Sequence, residues 1–339
     1  MLASAAIAGH LRALAGTVRL IVFLVPRLLA ALLTMLGVSL LVFVSLRLIP
    51  GGYAEVLLGP FATAEARALI GAKYGLDQPI AFQFLKWLAA LLHGDFGLSM
   101  VTGKPVIAEL WRRAPVTAEL ATLTLFLALA LGVPLGVWSG VAESGGTGRS
   151  GWGRLVGALG ASVPEFVVGS ALIFVFSHWS LGLKVGGFVP LAENPWANLK
   201  TVVLPVVALA IFAIALILRT SRDAVLRILT EGHILAAVGR GETPAAIVRH
   251  HILRNAAIPV VTVTATYFGY LLGGAVIAEV LFSVPGVGYY IFSSLEGRDY
   301  AVVQAGVLLA ALVFVALNMM ADVAYALIDP RIGANRSGR

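Results

Sequence analysis

The stretch "LATLTLFLALALGVPLGVWSGVA", residues 120–142, carries no charge over its whole length. A helix needs about 20 mostly apolar residues to cross the hydrocarbon core of a bilayer. The stretch therefore predicts a membrane-spanning helix. Five other uncharged runs come close to the same length: Leu28–Leu46, Phe166–Leu183, Thr201–Leu218, Ala256–Ala278 and Ala301–Ala321. The sequence predicts an all-α integral membrane protein with six transmembrane helices. The run at 166–183 is the least regular, because Glu165 interrupts an apolar segment that would otherwise begin near Leu155.

The composition supports the same class. Hydrophobic residues make up 59% of the 339 residues and charged residues only 12%, against about 25% charged residues in an average soluble chain. The spans leave no room for a large soluble catalytic domain. The chain has no cysteine, which excludes disulfides, thiolate metal sites and cysteine nucleophiles. The net charge of +7 is expected to reflect orientation in a membrane rather than binding of nucleic acid.

The basic residues predict the orientation. With the N-terminus inside, fourteen arginines lie on the cytoplasmic side, and the short outer loops hold only Lys184, Lys200 and Arg298. Cytoplasmic loops of membrane proteins carry an excess of Lys and Arg. We therefore expect both termini in the cytoplasm, with residues 1–27 as an N-terminal extension, 28–330 as the six-helix domain and 331–339 as a tail. A cleaved signal peptide is disfavoured, because Arg12 and Arg19 would break its apolar core.

Two polar segments separate the spans. The first, residues 50–115, is predicted to be an external loop that contains an amphipathic helix after Pro79. The second, residues 219–256, is predicted to be cytoplasmic and to form two short helices. Gly241 would end the first of them, Thr243 would cap the second and Pro244 would occupy its first position. Small side chains such as Ala237 would let this segment seat in a groove of another protein. A solvated loop that merely follows the charge rule is the alternative.

Four polar residues in or beside the spans are candidates for the pathway or for interhelical contacts: Glu165, Glu279, Asn318 and Asp322. An ionisable group in a span is a functional hypothesis by default. For Asn318 and Asp322, four residues apart, an interhelical hydrogen bond is favoured over a substrate contact. Glu279 would either line the entrance of the pathway or hold the following "FSVPGVG" turn.

No metal site and no catalytic residues are predicted. His250 and His251 are adjacent on a helix and point about 100° apart, which is poor geometry for one ion.

Several segments together resemble one family. They are "RLLAALLTMLGVSLLVF" (27–43), "YGLDQP" (74–79), "GDFGLS" (94–99), "PVTAEL" (115–120), "HILRNAAIP" (251–259), "AEVLFSVPGVG" (278–288), "RDYAVVQ" (298–304) and "LNMMADVAYALIDPRI" (317–332). In this order, and with Ala237 and Gly241 ahead of the fifth, they resemble the first permease subunit of the dipeptide/oligopeptide/nickel group of bacterial ABC importers. The resemblance covers about residues 27–332.

The resemblance implies an inner-membrane subunit that forms a pathway with a second homologous permease. Two ATPase subunits would dock on the cytoplasmic loop, and an extracytoplasmic binding protein would deliver a peptide or a related solute such as a nickel chelate. The chain has no Gly-rich loop ending in Gly-Lys-Ser/Thr, so it would not hydrolyse ATP itself. No cofactor and no nucleic acid are implied. The residues expected at the docking loop are Ala237, Arg240, Gly241, Glu242, Thr243 and Pro244, with His251 and Arg254 supporting the second loop helix.

The chain departs from the family pattern at a few positions. His233 and Leu235 stand where the family has an aromatic and a basic residue, and Arg240 stands where it has lysine. "PGGY" at 50–53 lacks the usual acid, and Glu165 stands where the family tends to have a neutral residue.

Two functions of other classes compete with this interpretation. A proton-coupled secondary transporter would use Glu165, Asp322 and Glu279 as a relay, but no inverted repeat of the two halves is evident. A membrane enzyme would need an acid, a histidine and a nucleophile at one depth, and the sequence offers no such set.

Overall fold

The computed structural model describes residues 2–49, 58–59, 62–74, 77–145, 150–179 and 181–328. These residues are mostly helical, and no strand is found among them beyond an isolated bridge between Leu98 and Pro105. The chain divides into two compact units, one of residues 1–95 with 307–339 and one of residues 96–306. The all-α prediction is confirmed.

The first unit contains α1 (Leu2–Leu48), α2 (Ala64–Tyr74), α3 (Ile80–Leu92) and most of α13 (Tyr300–Ile328). The part of α1 from Val25 to Leu48 is long and apolar enough to cross a membrane. α3 is the amphipathic helix that the sequence predicts after Pro79. It rests on α1 through Phe43, whose ring centroid lies 5.3 Å from those of both Phe84 and Trp87.

The second unit holds the remaining helices. They are α4 (Val106–Ser144), α5 (Ser150–Ser162), α6 (Glu165–His178), α7 (Pro195–Leu229), α8 (Gly232–Gly239), α9 (Pro244–Ile247), α10 (Leu253–Gly274), α11 (Val276–Leu281), α12 (Val287–Glu296) and the first turns of α13. One turn of π-helix, Val248–Ile252, joins α9 to α10.

α4 and α7 form the most extensively packed helix pair of this unit. Gly132, Gly136 and Gly140 recur every four residues along the face of α4 that meets α7. A Cβ atom on Gly136 would come within 2.5 Å of the Leu218 carbonyl oxygen, so the backbones approach at a distance that only glycine allows. This packing fixes the C-terminal half of α7, from which the polar segment continues.

The number of spanning helices agrees with the prediction only if one of them is broken. Among the described residues, five helices are long and apolar enough to cross a membrane, and α5 with α6 makes a sixth as a pair bent by 89°. The predicted third span, 166–183, is therefore corrected: its helix is Glu165–His178 and continues a first half, Ser150–Ser162. Pro164 explains the break, because proline lacks an N–H donor and disfavours a helical conformation at the preceding residue.

The ends of the polar segments also differ from the prediction. α4 begins at Val106, so the helix reaches into the predicted outer loop 50–115. In the segment 219–256, α7 continues to Leu229, and α9 runs through the π-turn into α10. Only α8 is a separate short helix, so the expectation of two independent short helices is wrong. The predicted second short helix, α9, is instead the beginning of the fifth span, because its apolar face continues into that of α10.

Candidate functional site

α8 is a short helix held between two long ones and closed at its C-terminus by a glycine. Gly241 has φ +79°, a left-handed conformation that glycine adopts without strain. The Gly241 N–H donates to the Val238 carbonyl (2.9 Å), and the Glu242 N–H donates to the Ala237 carbonyl (3.2 Å). This pair of bonds is the Schellman motif, and it satisfies carbonyls that would otherwise be orphaned at the helix end. The predicted helix stop at Gly241 is confirmed.

The turn after α8 begins the next helix as the sequence predicts. Thr243 Oγ1 accepts a hydrogen bond from the Ala246 N–H (3.3 Å), and Pro244 occupies the first helical position. These two features satisfy or remove amides that a helix N-terminus leaves without partners. α8 and the start of the fifth span are thus joined by a turn with defined geometry rather than by a loose loop.

The inner face of α8 lies on a hydrophobic core that the long helices build beneath it. Ile234 and Ala237 are buried there. The core contains Val137 of α4, Ala224, Val225 and Ile228 of α7, and Ile247, Ile252 and Ala256 of the α9–α10 helix. Ala237 is completely buried, so its methyl group does not reach a partner protein, contrary to the expectation that it faces outward. Ala237 instead helps to hold α8 on the core beneath it.

The outer face of α8 is apolar and exposed. Leu235 and Val238 are 67% and 58% exposed, and both belong to a helix of only eight residues. Large apolar side chains at this exposure do not stabilise the isolated chain through burial. The face is therefore available to a partner, and its apolar residues are Leu235 and Val238 rather than the predicted Ala237.

The rim of this face is a small polar network centred on Glu242. Arg240 Nη2 donates to Glu242 Oε1 at 2.7 Å, and His251 Nε2 lies 3.0 Å from Glu242 Oε2. The hydrogen bonds from Arg240 and His251 hold the pKa of Glu242 below its usual value. The His233 ring lies 5.9 Å from that of His251, which links α8 to the π-turn. The structure thus brings Arg240, Glu242 and His251 together, as expected for one site.

Arg254 is the expected residue that does not join this network. It is exposed on the first turn of α10, and within the described ranges it makes no ion pair. The same ranges contain no group of three or more His, Asp or Glu residues that is suited to a metal ion.

Glu279 proves to be the centre of a buried network. Its side chain is fully buried, with Oε1 accepting from the Thr117 hydroxyl (2.6 Å) and Oε2 from the Tyr289 N–H (2.8 Å). The Thr117 oxygen in turn accepts from the Val287 N–H (2.9 Å). Of the two predicted roles, the geometry favours holding the "FSVPGVG" turn. Oε2 accepts directly from an amide of α12, and Oε1 accepts from the Thr117 hydroxyl, which itself accepts from the Val287 amide.

A second buried carboxylate, Asp299, was missed by the sequence interpretation. Asp299 Oδ2 accepts from the Ser99 hydroxyl at 2.5 Å, and its backbone carbonyl accepts from the Val303 N–H. It therefore ties the segment that contains "GDFGLS" to the start of α13. Ser99 and Asp299 both lie in segments that carry the family resemblance, and this resemblance is the signal that could have pointed to each of them. No sequence pattern, however, pairs residues 200 positions apart.

Three sequence-predicted candidates remain: Glu165, Asn318 and Asp322. Glu165 is the first residue of α6 and is partly exposed. The Asn318 side chain donates to the Phe314 carbonyl one turn back (2.8 Å). Asp322 lies in α13, but its side chain is outside the described part, so its interhelical hydrogen bond stays a prediction. The "PGGY" residues 50–53 also lie outside the described residues.

Most of this chain matches known protein families and individual proteins in sequence. Residues 132–334 match the family described as binding-protein-dependent transport system inner membrane component, and residues 20–121 match its N-terminal companion. The chain is 36% identical over 313 residues to a probable peptide ABC transporter permease, y4tP, of Sinorhizobium fredii, covering 92% of this chain and 99% of that protein. It is 34% identical over 310 residues to the glutathione transport system permease GsiC of Escherichia coli K12, covering 91% and 98%.

A solved structure has the same fold. The inward-facing MetNI methionine ABC transporter superposes with a TM-score of 0.54 at 20% identity, over 66% of this chain and 98% of the matched chain. The relatives are transport permeases, which excludes an enzyme, and in ABC importers separate ATPase subunits hydrolyse ATP. The chain therefore belongs to the inner-membrane permeases of binding-protein-dependent ABC importers, in the dipeptide/oligopeptide group.

Proposed function

We propose that this chain forms, with a second homologous permease, the membrane pathway through which an ATP-driven importer takes up small peptides. The substrate class is supported by the names of its relatives, a probable peptide permease and the glutathione permeases. Within the group, a nickel chelate is the other solute to test. An extracytoplasmic binding protein delivers the substrate to the outer ends of the spans.

The observation that carries the energy-coupling part is the exposed apolar face of α8. Leu235 and Val238 project from a helix whose other side is buried against α4 and α7. An apolar face of this kind fits a hydrophobic groove of an ATPase subunit, with Arg240 and Glu242 at its polar rim. Since α9 is continuous with α10, a movement of the docked helix would reach the fifth span directly.

The orientation of the chain belongs to the same proposal. ATP is hydrolysed on the cytoplasmic side, so α8 must face the cytoplasm, as must the N-terminus and C-terminus. The distribution of arginines gives the same orientation.

A proton-coupled secondary transporter is not favoured. Two of its proposed relay residues fit poorly: Glu279 has both oxygens engaged in a buried network, and Asp322 lies near the end of α13. A relay needs groups that can release and accept protons in sequence.

The test is co-purification of the tagged chain with its ATPase from a strain that expresses the whole transporter. Leu235→Asp should remove the ATPase, because a charge would have to be desolvated in the groove. The matched control is Leu191→Asp, in the loop before α7, where leucine is also exposed (53%). The second permease should remain bound in both variants.

Two results would contradict the proposal. Retention of the ATPase by Leu235→Asp would exclude α8 as the docking helix. Purification of the wild-type chain without any ATPase would exclude the energy-coupling mechanism itself.

A further inference from the structure

The break between α5 and α6 leaves backbone uncovered at a membrane-spanning position. The two helices bend by 89° around Val163 and Pro164, and Ser162, Val163 and Pro164 are all exposed in this chain. Irregular backbone at membrane depth is tolerated only where protein covers it or where it lines a water-filled cavity. Broken helices of this kind mark substrate sites in several classes of transporter.

Glu165 follows this break directly. Its carboxylate is partly exposed, and among the described residues it forms no ion pair and no side-chain hydrogen bond. The position at the N-terminus of α6 offers a helix dipole, which stabilises a carboxylate only modestly. An ionisable group left without a cation in a span is costly and calls for a partner from outside the chain.

Aromatic side chains of α7 and α10 form a cluster. Tyr267 and Tyr270 of α10 are stacked with ring centroids 5.7 Å apart, and Phe212 of α7 lies 5.8 Å from Tyr267. Glu165 interacts electrostatically with both tyrosines. Tyr267 is buried and its hydroxyl donates to the Leu209 carbonyl (3.4 Å), whereas Tyr270 is 52% exposed.

Packing against one stretch of α7 brings the break and the tyrosines together. A Cβ atom on Gly160, near the end of α5, would lie 2.8 Å from the Ala215 methyl group and 3.4 Å from the Ile211 carbonyl oxygen. Tyr267 contacts α7 at Leu209 and Phe212. Residues 209–215 of α7 thus contact both the end of α5 that precedes the break and Tyr267.

This group lies near the middle of the spans. The Tyr267 hydroxyl donates to the Leu209 carbonyl, and both Leu209 and Phe212 lie within one turn of the midpoint of the run 201–218. A substrate that crosses the membrane passes this depth.

A carboxylate near a half-exposed tyrosine ring, here Glu165 and Tyr270, is a combination that recognises an organic cation. The carboxylate supplies charge and hydrogen-bond acceptors, and the aromatic face attracts an ammonium group electrostatically. We propose that Glu165 and Tyr270 form a transient site for the N-terminal ammonium group of a peptide as it crosses the membrane. The proposal rests on the peptide substrate class given under Proposed function.

The test is photolabelling of the intact complex of both permeases and the ATPases in lipid nanodiscs, without binding protein. Leaving out the binding protein removes its own selectivity. The probe is a radiolabelled dipeptide, alanyl-p-benzoylphenylalanine, and its N-acetyl derivative is the uncharged comparison. We expect the free-amine probe to label the wild-type chain about tenfold more strongly than the acetylated one, because the bond lost is assisted by charge.

Glu165→Gln should reduce labelling by the free-amine probe to the level of the acetylated probe, and Glu165→Asp should restore most of it. Tyr270→Phe should keep the labelling and Tyr270→Leu should weaken it, since the ring and not the hydroxyl faces the cation. Glu193→Gln, an exposed carboxylate in the loop before α7, is the matched control and should behave as wild type.

Three outcomes would overturn the proposal, and they are distinct. Unchanged labelling of Glu165→Gln would exclude the ammonium site but leave peptide transport intact. Loss of the second permease from Glu165→Gln would show that Glu165 pairs with a cation of that subunit. Failure of both probes to label the wild-type complex would exclude the site, whereas the peptide substrate class is tested separately, by peptide uptake with the binding protein present.

Discussion

At the scale of single residues, two buried carboxylates in the described part of the chain join distant segments through hydrogen bonds. Glu279 accepts hydrogen bonds from a hydroxyl of α4 and an amide of α12, and Asp299 accepts from Ser99. In both cases a buried carboxylate satisfies donors on segments that are far apart in sequence. Burial of a charge is tolerated where such bonds replace water.

The first prediction concerns Glu279. Glu279→Ala leaves the Thr117 hydroxyl and the Tyr289 amide without their acceptor, and each unsatisfied buried group costs about 1–3 kcal/mol. We expect a clearly lower melting temperature of the purified complex in detergent. Glu296→Ala, at an exposed position in α12, should leave the melting temperature unchanged. Equal melting temperatures for both variants would contradict the structural role.

The second prediction uses the lowered pKa of Glu242. Because the bonds from Arg240 and His251 lower the pKa in the folded loop, the carboxylate stabilises the loop at pH values above the ordinary glutamate pKa. This contribution is lost as the pH falls through the lowered folded value. Amide exchange of residues 237–247, corrected for its intrinsic pH dependence, should therefore accelerate on acidification.

Glu242→Gln provides the comparison for that experiment. Glutamine does not titrate, so protection of the loop should be weaker at neutral pH and should show little further loss on acidification. An identical pH profile for wild type and variant would exclude Glu242 as the titrating group.

At the scale of elements, the end of α8 and the turn after it are specified by local backbone chemistry. The Schellman closure at Gly241 and the cap at Thr243 are only two residues apart, so one short turn ends α8 and begins α9. The direction of α8 relative to α10 is set by this turn. The turn is therefore where a substitution can misdirect the apolar face without touching it.

The third prediction tests this turn. Gly241→Ala places a Cβ atom on a residue with φ +79°, and the left-handed conformation costs a non-glycine residue about 1–2 kcal/mol. We expect faster trypsin cleavage after Arg240 and weaker retention of the ATPase. Asparagine enters this conformation more readily, so Gly241→Asn should lie between Gly241→Ala and the wild type. No Cβ contact would form within 4 Å, so the effect is conformational and not steric.

At the scale of the whole molecule, the orientation of the chain is directly testable. The protein has no cysteine, so single cysteines can be introduced without a further background change. We expect Lys184→Cys to react with a membrane-impermeant maleimide in intact cells with a permeabilised outer membrane. Arg249→Cys should react only after the inner membrane is opened. Both positions are exposed, so reaction of Arg249→Cys from outside would reverse the proposed topology.

The sequence predicted the fold class and most of the spans, because a long uncharged apolar run is rarely anything other than a transmembrane helix. It also predicted the stop at Gly241 and the cap at Thr243, since both depend on local backbone chemistry. It did not predict the outward face of α8. Which side of a short helix is buried depends on the core supplied by α4 and α7, and that core is assembled from residues distant in sequence.

The same limit explains the third span and the Ser99–Asp299 bond. Hydropathy alone treats residues 155–183 as a nearly continuous apolar run, and it does not report the direction that the chain takes after Pro164. The 89° bend at Pro164 is visible only in the three-dimensional structure, where α5 packs on α7. Contacts between distant segments, such as the one to Asp299, leave no periodic pattern in a single sequence.

The length of α6 has a consequence for the lipids around the transporter. With 14 residues it is about 21 Å long, whereas the hydrophobic thickness of a bilayer is about 30 Å. Contact with lipid along α6 would therefore carry a hydrophobic mismatch, which is relieved by local thinning or by oligomerisation. This mismatch favours a protein neighbour over lipid beside the broken span.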